Sequence, residues 1–310
     1  MKITLSSETI KKVAREVGFD LCGIAPCRAF DEERRFLEAW IADGNASTLD
    51  YLTRNIDKRA DASLLIEGTR SVVVCGVSYR NEISAGYTPD STTKIASYAC
   101  TEDYHTTIKA MLRAMVEHLK QEYPTLSAAI FTDTAPIFEK RYAVEAGLGW
   151  IGRQSLLVTP QYGTFVLLGE VVLCEECDSY DTPLEGRGCG ECRRCVEACP
   201  NRAIDERHID TRRCISRATI ERSEEDEEIP LHGWIFGCDE CQSCCPYNRT
   251  TAAPSNPRFA PLFDPRTMDA AWWRALDKSL FKAQFKRTPL SRSSLERILK
   301  NIERNEKTRL

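Results

Sequence analysis

No apolar run in this 310-residue chain approaches the roughly 20 residues that a membrane-crossing helix needs. The longest candidate, Thr164 to Cys174, is interrupted by Gly169 and Glu170. The N-terminus, MKITLSSETIKKVAREV, lacks both the apolar core and the small-residue cleavage site of a signal peptide, so cytoplasmic residence is expected. Repeat arrays and low-complexity tracts are missing too, which excludes a solenoid and a disordered linker as the main architecture. Net charge is small, at −4. That total hides an asymmetry: residues 251–310 hold thirteen Lys and Arg against six Asp and Glu, leaving an acidic body. A basic end of this kind suits a polyanion partner, and it suits a solvated helical surface equally well.

What the chain has in abundance is cysteine, fifteen in all. In a reducing compartment, closely spaced thiols point to metal ligation or catalysis rather than to cross-links. With 42% apolar residues, the chain can build one large core or two modest domains.

The first 175 residues alternate helix-like and strand-like patterns, which predicts an α/β layer. Ser7 is positioned to cap a helix over Glu8–Val17, closed by Gly18. Strands are predicted over Leu21–Ala25, Ser71–Tyr79, Ser127–Thr134 and Thr164–Leu173. Ser71–Tyr79 is β-branched and nearly continuous in apolar character, as a strand buried on both faces would be. Helices are predicted over Asp31–Ile41 and over Tyr104–Glu122, where the Met and Leu stripe reads as core. A further helix is predicted from Pro136 to about Ala146. The stretch GLGWIG, Gly147–Gly152, marks a tight loop rather than a dinucleotide fingerprint. After the proline-punctuated APSNPRFAP, amphipathic helices are expected over Asp269–Phe285 and Ser291–Arg304.

The cysteines carry the strongest chemical signal. Cys189, Cys192, Cys195, Cys199 and Pro200 follow the C-x2-C-x2-C-x3-C-P spacing of bacterial ferredoxins, which suits 4Fe-4S clusters better than zinc. Cys238, Cys241, Cys244 and Cys245 form a second run. Two-cluster logic gives one cluster Cys189, Cys192, Cys195 and Cys245. The other receives Cys199, Cys238, Cys241 and a fourth ligand, for which Cys244 and Cys214 compete. Electron transfer alone needs only a short domain, so the remaining chain is expected to hold a second redox cofactor.

The segments DTAPIFEKRYAVEAGLGWIG, GTFVLLGEVV, CGECRRCVEACPNRAID, RRCISRATIE, GCDECQSCCPYN and FKRTPLSRSSLERILKNI together resemble the epoxyqueuosine reductases, cobalamin-dependent enzymes of tRNA queuosine synthesis. The similarity runs, with gaps, from about residue 8 to residue 305. It implies cobalamin, two 4Fe-4S clusters, and removal of the epoxide oxygen of epoxyqueuosine at the tRNA wobble position. It assigns Cys214 to the cluster nearer the corrin, leaving Cys244 as a bystander. It implies that Asp133 is the proton donor, which would require burial to keep the carboxyl protonated. Without the resemblance, Asp133 reads as the cap of the helix opening at Pro136. The corrin pocket is expected to draw on Arg59, Tyr104, His105, Leu157, Leu168 and Asp239, and the tRNA contacts on Lys282, Lys286, Arg287, Arg292, Arg297 and Lys300.

Several features depart from the family's pattern. Arg217 and Ala218 stand where the family usually has an aromatic and an aliphatic residue. The acidic run Glu221–Glu228 is expected to form a solvated loop turned away from tRNA. Cys174 and Cys177 lie outside the cluster pattern and are expected to be free thiols. The helical-repeat domain that some members carry is not expected here.

The expected organisation is an α/β (α+β) cobalamin-binding catalytic domain over residues 1–180, a ferredoxin-like two-cluster domain over 181–250, and a short basic helical tail over 251–310. A monomer that takes electrons from an external donor is expected, with no membrane partner. Two rival readings share part of the chemistry. Reductive dehalogenases use the same cofactors but are typically exported behind a twin-arginine signal, which this N-terminus lacks. A plain electron-transfer protein would bind iron and sulfide but no cobalt.

Overall fold

The apolar stretch at Ser71–Ser78 becomes the heart of the molecule, a strand buried at every residue. In the computed structural model, which describes residues 3–221 and 228–308, this strand lies second in a four-stranded sheet. The elements run β1 (Thr4–Leu5), α1 (Ser7–Glu16), β2 (Leu21–Pro26), α2 (Asp31–Ala42), α3 (Ile56–Ala60), β3 (Ser71–Ser78), β4 (Lys94–Ile95), α4 (Tyr104–Glu122), β5 (Ala128–Phe131) and α5 (Glu139–Glu145). They continue with β6 (Trp150–Ile151), β7 (Leu157–Val158), β8 (Val166–Leu173), β9 (Glu176–Cys177), α6 (Arg194–Ala198), β10 (Ile204–Asp205), β11 (His208–Ile209), α7 (Ile215–Ile220), β12 (Trp234–Phe236) and α8 (Glu240–Ser243). The chain closes with α9 (Ala270–Arg274), α10 (Lys278–Phe285) and α11 (Leu295–Lys307).

The sheet order is β2-β3-β8-β5, and every neighbouring pair is antiparallel. The fold is therefore mixed α/β of the α+β kind, without the parallel crossovers of a doubly wound sheet. Strand periodicity sorts the side chains between two helical layers. Val73, Cys75, Val77, Val171 and Leu173 face α1 and α4, with Ile108, Leu112 and Met115 across from them. Val72, Val74 and Val172 face the opposite side, where Tyr142 and Ala143 of α5 cover them. Gly169 has a packing reason: a Cβ there would lie 2.4 Å from Cγ2 of Ile108, so its absence lets α4 approach the sheet.

Several boundaries differ from the sequence expectation for identifiable reasons. Ser6, not Ser7, caps α1, its hydroxyl accepting the Thr9 N–H. Helix α5 begins at Glu139, so Pro136 lies in the loop before it and Asp133 caps nothing. The long helix expected over Asp269–Phe285 is two helices, because Asp269 and Asp277 each accept an N–H three residues on and start a new helix. Ser294 does the same for α11.

The chain beyond residue 250 is no loose appendage. Trp273, Phe281, Phe285, Ile298 and Ile302 form one core with Ile95, Ile235 and Phe236 of β4 and β12. The acidic run falls mostly at residues 222–227, outside the described residues. Among the described residues, no helix is long and apolar enough to cross a membrane.

Candidate active site and cluster sites

Four residues meet where β5 ends and α4 begins. Asp103 caps α4, accepting the His105 N–H at 3.0 Å, and its Oδ1 also lies 2.8 Å from His105 Nδ1. His105 Nε2 lies 2.8 Å from Asp133 Oδ2. Both ring nitrogens thus face carboxylate oxygens, which accept only, so the ring is satisfied as an imidazolium donating to each side. Burial alone would lower its pKa, but the hydrogen bonds and charges of Asp103 and Asp133 push it up to about 9. The Tyr104 ring stacks on it at 4.0 Å, and its hydroxyl donates to Asp133. Arg292 reaches in from the C-terminal region, its Nη1 3.4 Å from His105 Nε2.

Asp133 corrects the sequence expectation about its proton. Burial raises its carboxyl, but the hydrogen bond and charge of His105, the Tyr104 hydroxyl and Arg292 outweigh burial and hold it below the usual carboxylate range. The proton at this site therefore sits on His105, with Asp133 as its ionised acceptor. Backbone geometry marks the position as well, since Asp133 has φ 58, a conformation that costs a non-glycine residue about 1–3 kcal/mol. Its N–H donates to the Glu139 carboxylate at the start of α5.

The pH dependence follows from His105. Raised from 6.5 in the unfolded chain to about 9, its pKa confers stability that is fully present below about pH 6.5 and lost as pH climbs through about 9. Thermal unfolding across that window should show the loss in the native protein and little of it in His105→Gln.

The cysteines gather into two sets. Cys189, Cys192, Cys195 and Cys245 line one small cavity beside Gln154 and Tyr247. Cys199 lies close enough to Cys214 to disfavour its thiolate, and Cys214 acts in the same way on Cys238 and Cys241. Cys244 sits with the first set instead: burial and the proximity of Cys195 and Cys245 push its thiol up to about 12. Cys244 also lies beside Cys241, its Sγ 3.5 Å from that residue's carbonyl, while Cys214 lies beside Cys199, Cys238 and Cys241. Among the described residues, no three or more His, Cys, Asp or Glu converge as one small metal ion would require. Four thiols lining one cavity, with ferredoxin spacing in the sequence, supply the donor set of a 4Fe-4S cluster. Of the cysteines outside the pattern, Cys177 is in the core and Cys174 lies 3.6 Å from the Glu67 carbonyl.

Between the sheet domain and the cysteine region runs a cleft of ≈ 520 Å³, walled by residues that include Trp40, Leu49, Tyr51, Leu156, Cys214 and Ile220. An apolar, broad cleft with the Cys214 thiol in its wall fits a large planar cofactor that must receive electrons. Tyr51, in the cleft wall, has its hydroxyl pKa raised by burial first and then by the charges of Glu221 and Asp133, so the Asp133 site lies within charge range of the cleft. Arg59 is half-buried, donates to the Tyr51 carbonyl at 3.4 Å, and has its pKa drawn down by burial. Leu168 is half-buried in β8, whereas Leu157 is 4% exposed and belongs to the core, with its neighbour Leu156 facing the cleft. Asp239 is not brought to the cleft wall: at 1% exposure its carboxylate accepts from Ser84, the Ser97 N–H and Gln242.

The basic C-terminal residues divide in the same way. Lys282, Lys286, Arg287, Arg292 and Lys300 are exposed. Arg287 pairs with Glu102. Arg297 turns inward, donating to the Ala218 carbonyl at 2.6 Å and to the Glu221 carbonyl, so its guanidinium braces α7 rather than facing phosphate. Arg217 also has a local use: at 6% exposure its guanidinium donates to the carbonyls of Thr211 and Arg212, fixing the turn that precedes Cys214.

Comparison with known proteins agrees with this layout. A family model described as "Epoxyqueuosine reductase QueG, DUF1730" matches residues 59–134, and one described as "4Fe-4S double cluster binding domain" matches residues 188–248. An epoxyqueuosine reductase of Cyclobacterium marinum is 37% identical over 300 residues, covering 96% of this chain and 95% of that protein. One from Leadbetterella byssophila is 34% identical, with 96% and 97% covered. The fold is shared with a crystal structure of epoxyqueuosine reductase bound to an epoxyqueuosine-modified tRNA-Tyr stem loop, at TM-score 0.83 and 24% identity, covering 96% of this chain and 80% of that one.

Proposed function

The chain belongs to the epoxyqueuosine reductase family, and on that premise we propose that it reduces epoxyqueuosine to queuosine in the anticodon of tRNA. The observation that carries the reading is the His105 imidazolium, held between Asp103 and Asp133 within charge range of a cleft with Cys214 in its wall. Removing the epoxide oxygen consumes two electrons and two protons and releases water. Bound cobalamin, with electrons from two 4Fe-4S clusters, would supply the reducing power at the carbon–oxygen bond.

The chain's own residues handle the proton. As charge develops on the departing oxygen, the proton on His105 Nε2 passes to Asp133 and on to that oxygen. Asp103 keeps the ring oriented throughout, and the Tyr104 ring covers it from solvent. Cys189, Cys192, Cys195 and Cys245 hold the outer cluster, and Cys199, Cys214, Cys238 and Cys241 the one nearer the cleft. The organisation that fits is a catalytic domain over 1–180, a cluster domain over 181–250 and a basic tail over 251–310, in a cytoplasmic monomer fed by an external electron donor.

The test is anaerobic incubation of the reconstituted protein with reductant and tRNA carrying epoxyqueuosine, followed by mass analysis of the anticodon nucleosides. Loss of one oxygen mass, dependent on protein and cobalamin together, is the expected result. No loss in a sample with verified cobalt and iron overturns the substrate. Affinity for that tRNA should fall as salt rises, and charge reversal at Lys282 and Lys286 should flatten the salt dependence by about one unit of slope per lost phosphate contact.

A further inference from the structure

Behind Asp133 lies a pair of carboxyl groups that the proton path does not use. Glu170 sits in the middle of the sheet, its backbone paired with Val74 of β3 on one side and Phe131 of β5 on the other. It is 0% exposed, and among the described residues neither carboxylate oxygen meets a donor. By strand alternation its side chain shares the face of Val172, beneath α5. There it meets Glu139, the first residue of α5, whose Oε1 accepts the Asp133 N–H.

Two carboxylates cannot both stay ionised in such a place. The charged groups facing Glu139 are Asp133 from the preceding loop, Arg59 from α3, and Lys140 from α5 itself. Those facing Glu170 are Glu139 and Asp133, with the Cys75 thiol of β3 nearby. No cation closes on Glu170 among the groups that act on it. A single proton resolves the conflict: the Glu170 hydroxyl donates to Glu139, and Glu139 is free to accept the Asp133 N–H. That N–H belongs to a residue at φ 58, which would relax without an anchor.

We propose that Glu139 and Glu170 share one proton and act as a positioning pair, locking the Asp133 loop in the strained conformation that faces His105. Burial and mutual repulsion support the arrangement, raising Glu139 to about 7 and Glu170 well above the ordinary range, with the protons belonging to the pair. Because it concerns Asp133 as proton carrier, the proposal rests on the function given above. It adds two residues that contact neither substrate nor cofactor and act through the loop.

Glu170→Gln retains a permanently neutral donor, whereas Glu170→Leu and Glu139→Ala remove the donor and the anchor. Infrared spectra of the holoenzyme at about pH 8, where ordinary carboxyls are ionised, should contain a protonated-carboxyl band that Glu170→Gln abolishes. Amide exchange over residues 131–139 should be about tenfold faster or more in Glu139→Ala and Glu170→Leu and unchanged in Glu170→Gln. Turnover should follow the same order, falling about tenfold or more in the first two and being retained in the third. Absence of the band, or unchanged exchange in Glu139→Ala, overturns the pair. Faster exchange with undiminished turnover overturns its role in the reaction. The first two measurements need no substrate, so they stand apart from the identity of the tRNA. Should Glu170→Leu fail to fold, Glu139→Ala, at the rim of the same contact, decides the question.

Discussion

Asp133→Asn is expected to keep both clusters and bound cobalamin while turnover falls about 10²–10⁴-fold. Asparagine is the informative replacement for two reasons. It tolerates the left-handed backbone that Asp133 adopts at φ 58, which alanine would resist. Its amide oxygen can still accept from His105 Nε2, but it cannot take up that proton and pass it on. The variant therefore separates the loop's shape from its chemistry. Single-turnover deoxygenation, normalised to measured cobalt and iron, is the assay. Turnover at the native rate would leave His105 delivering its proton by another route.

Cys214→Ser is expected to lower iron content by about half, since a cluster that loses one of four thiolates is held poorly. Turnover should fall to background, because the cluster it would remove is the one beside the cleft. Cys244→Ser should change neither quantity. The contrast rests on position: Cys214 lies among Cys199, Cys238 and Cys241, while Cys244 lies against Cys195 and Cys245. The opposite result, with iron lost from Cys244→Ser and kept in Cys214→Ser, would return the fourth ligand to the cysteine that spacing favours. Iron and acid-labile sulfide analysis of the two variants decides it.

Much of this arrangement was legible in the sequence, and the illegible parts share a cause. Helix α4 spans Tyr104–Glu122 as its apolar stripe requires, because a face that repeats every 3.6 residues has one way to be buried. Ser71–Ser78 is buried throughout, as its unbroken β-branched run implies. Cysteine spacing indicated iron–sulfur chemistry before any fold was known, since ligands close in sequence need little help from tertiary structure. Pairing direction was harder to read, and a buried strand looks alike in parallel and antiparallel sheets. The protonation of Asp133 could not be read, because it depends on a histidine twenty-eight residues away. Cys214 and Cys244 were separated only by the resemblance, as both lie within reach along the chain. Glu170 did leave a mark: it is the one charge in the apolar stretch VLLGEVVL, where a solvated side chain has no place to go. It registered there only as an interruption.

The C-terminal region is also a wall of the catalytic room. The Arg287 carbonyl accepts the Asp103 N–H at 2.7 Å, Arg292 stands against His105, and Arg297 props the helix that follows Cys214. Deleting it would reshape the histidine's surroundings and unsettle the helix that follows Cys214 together. The histidine's surroundings and the helix after Cys214 therefore lean on one short stretch of polypeptide, and a change in that stretch reaches both.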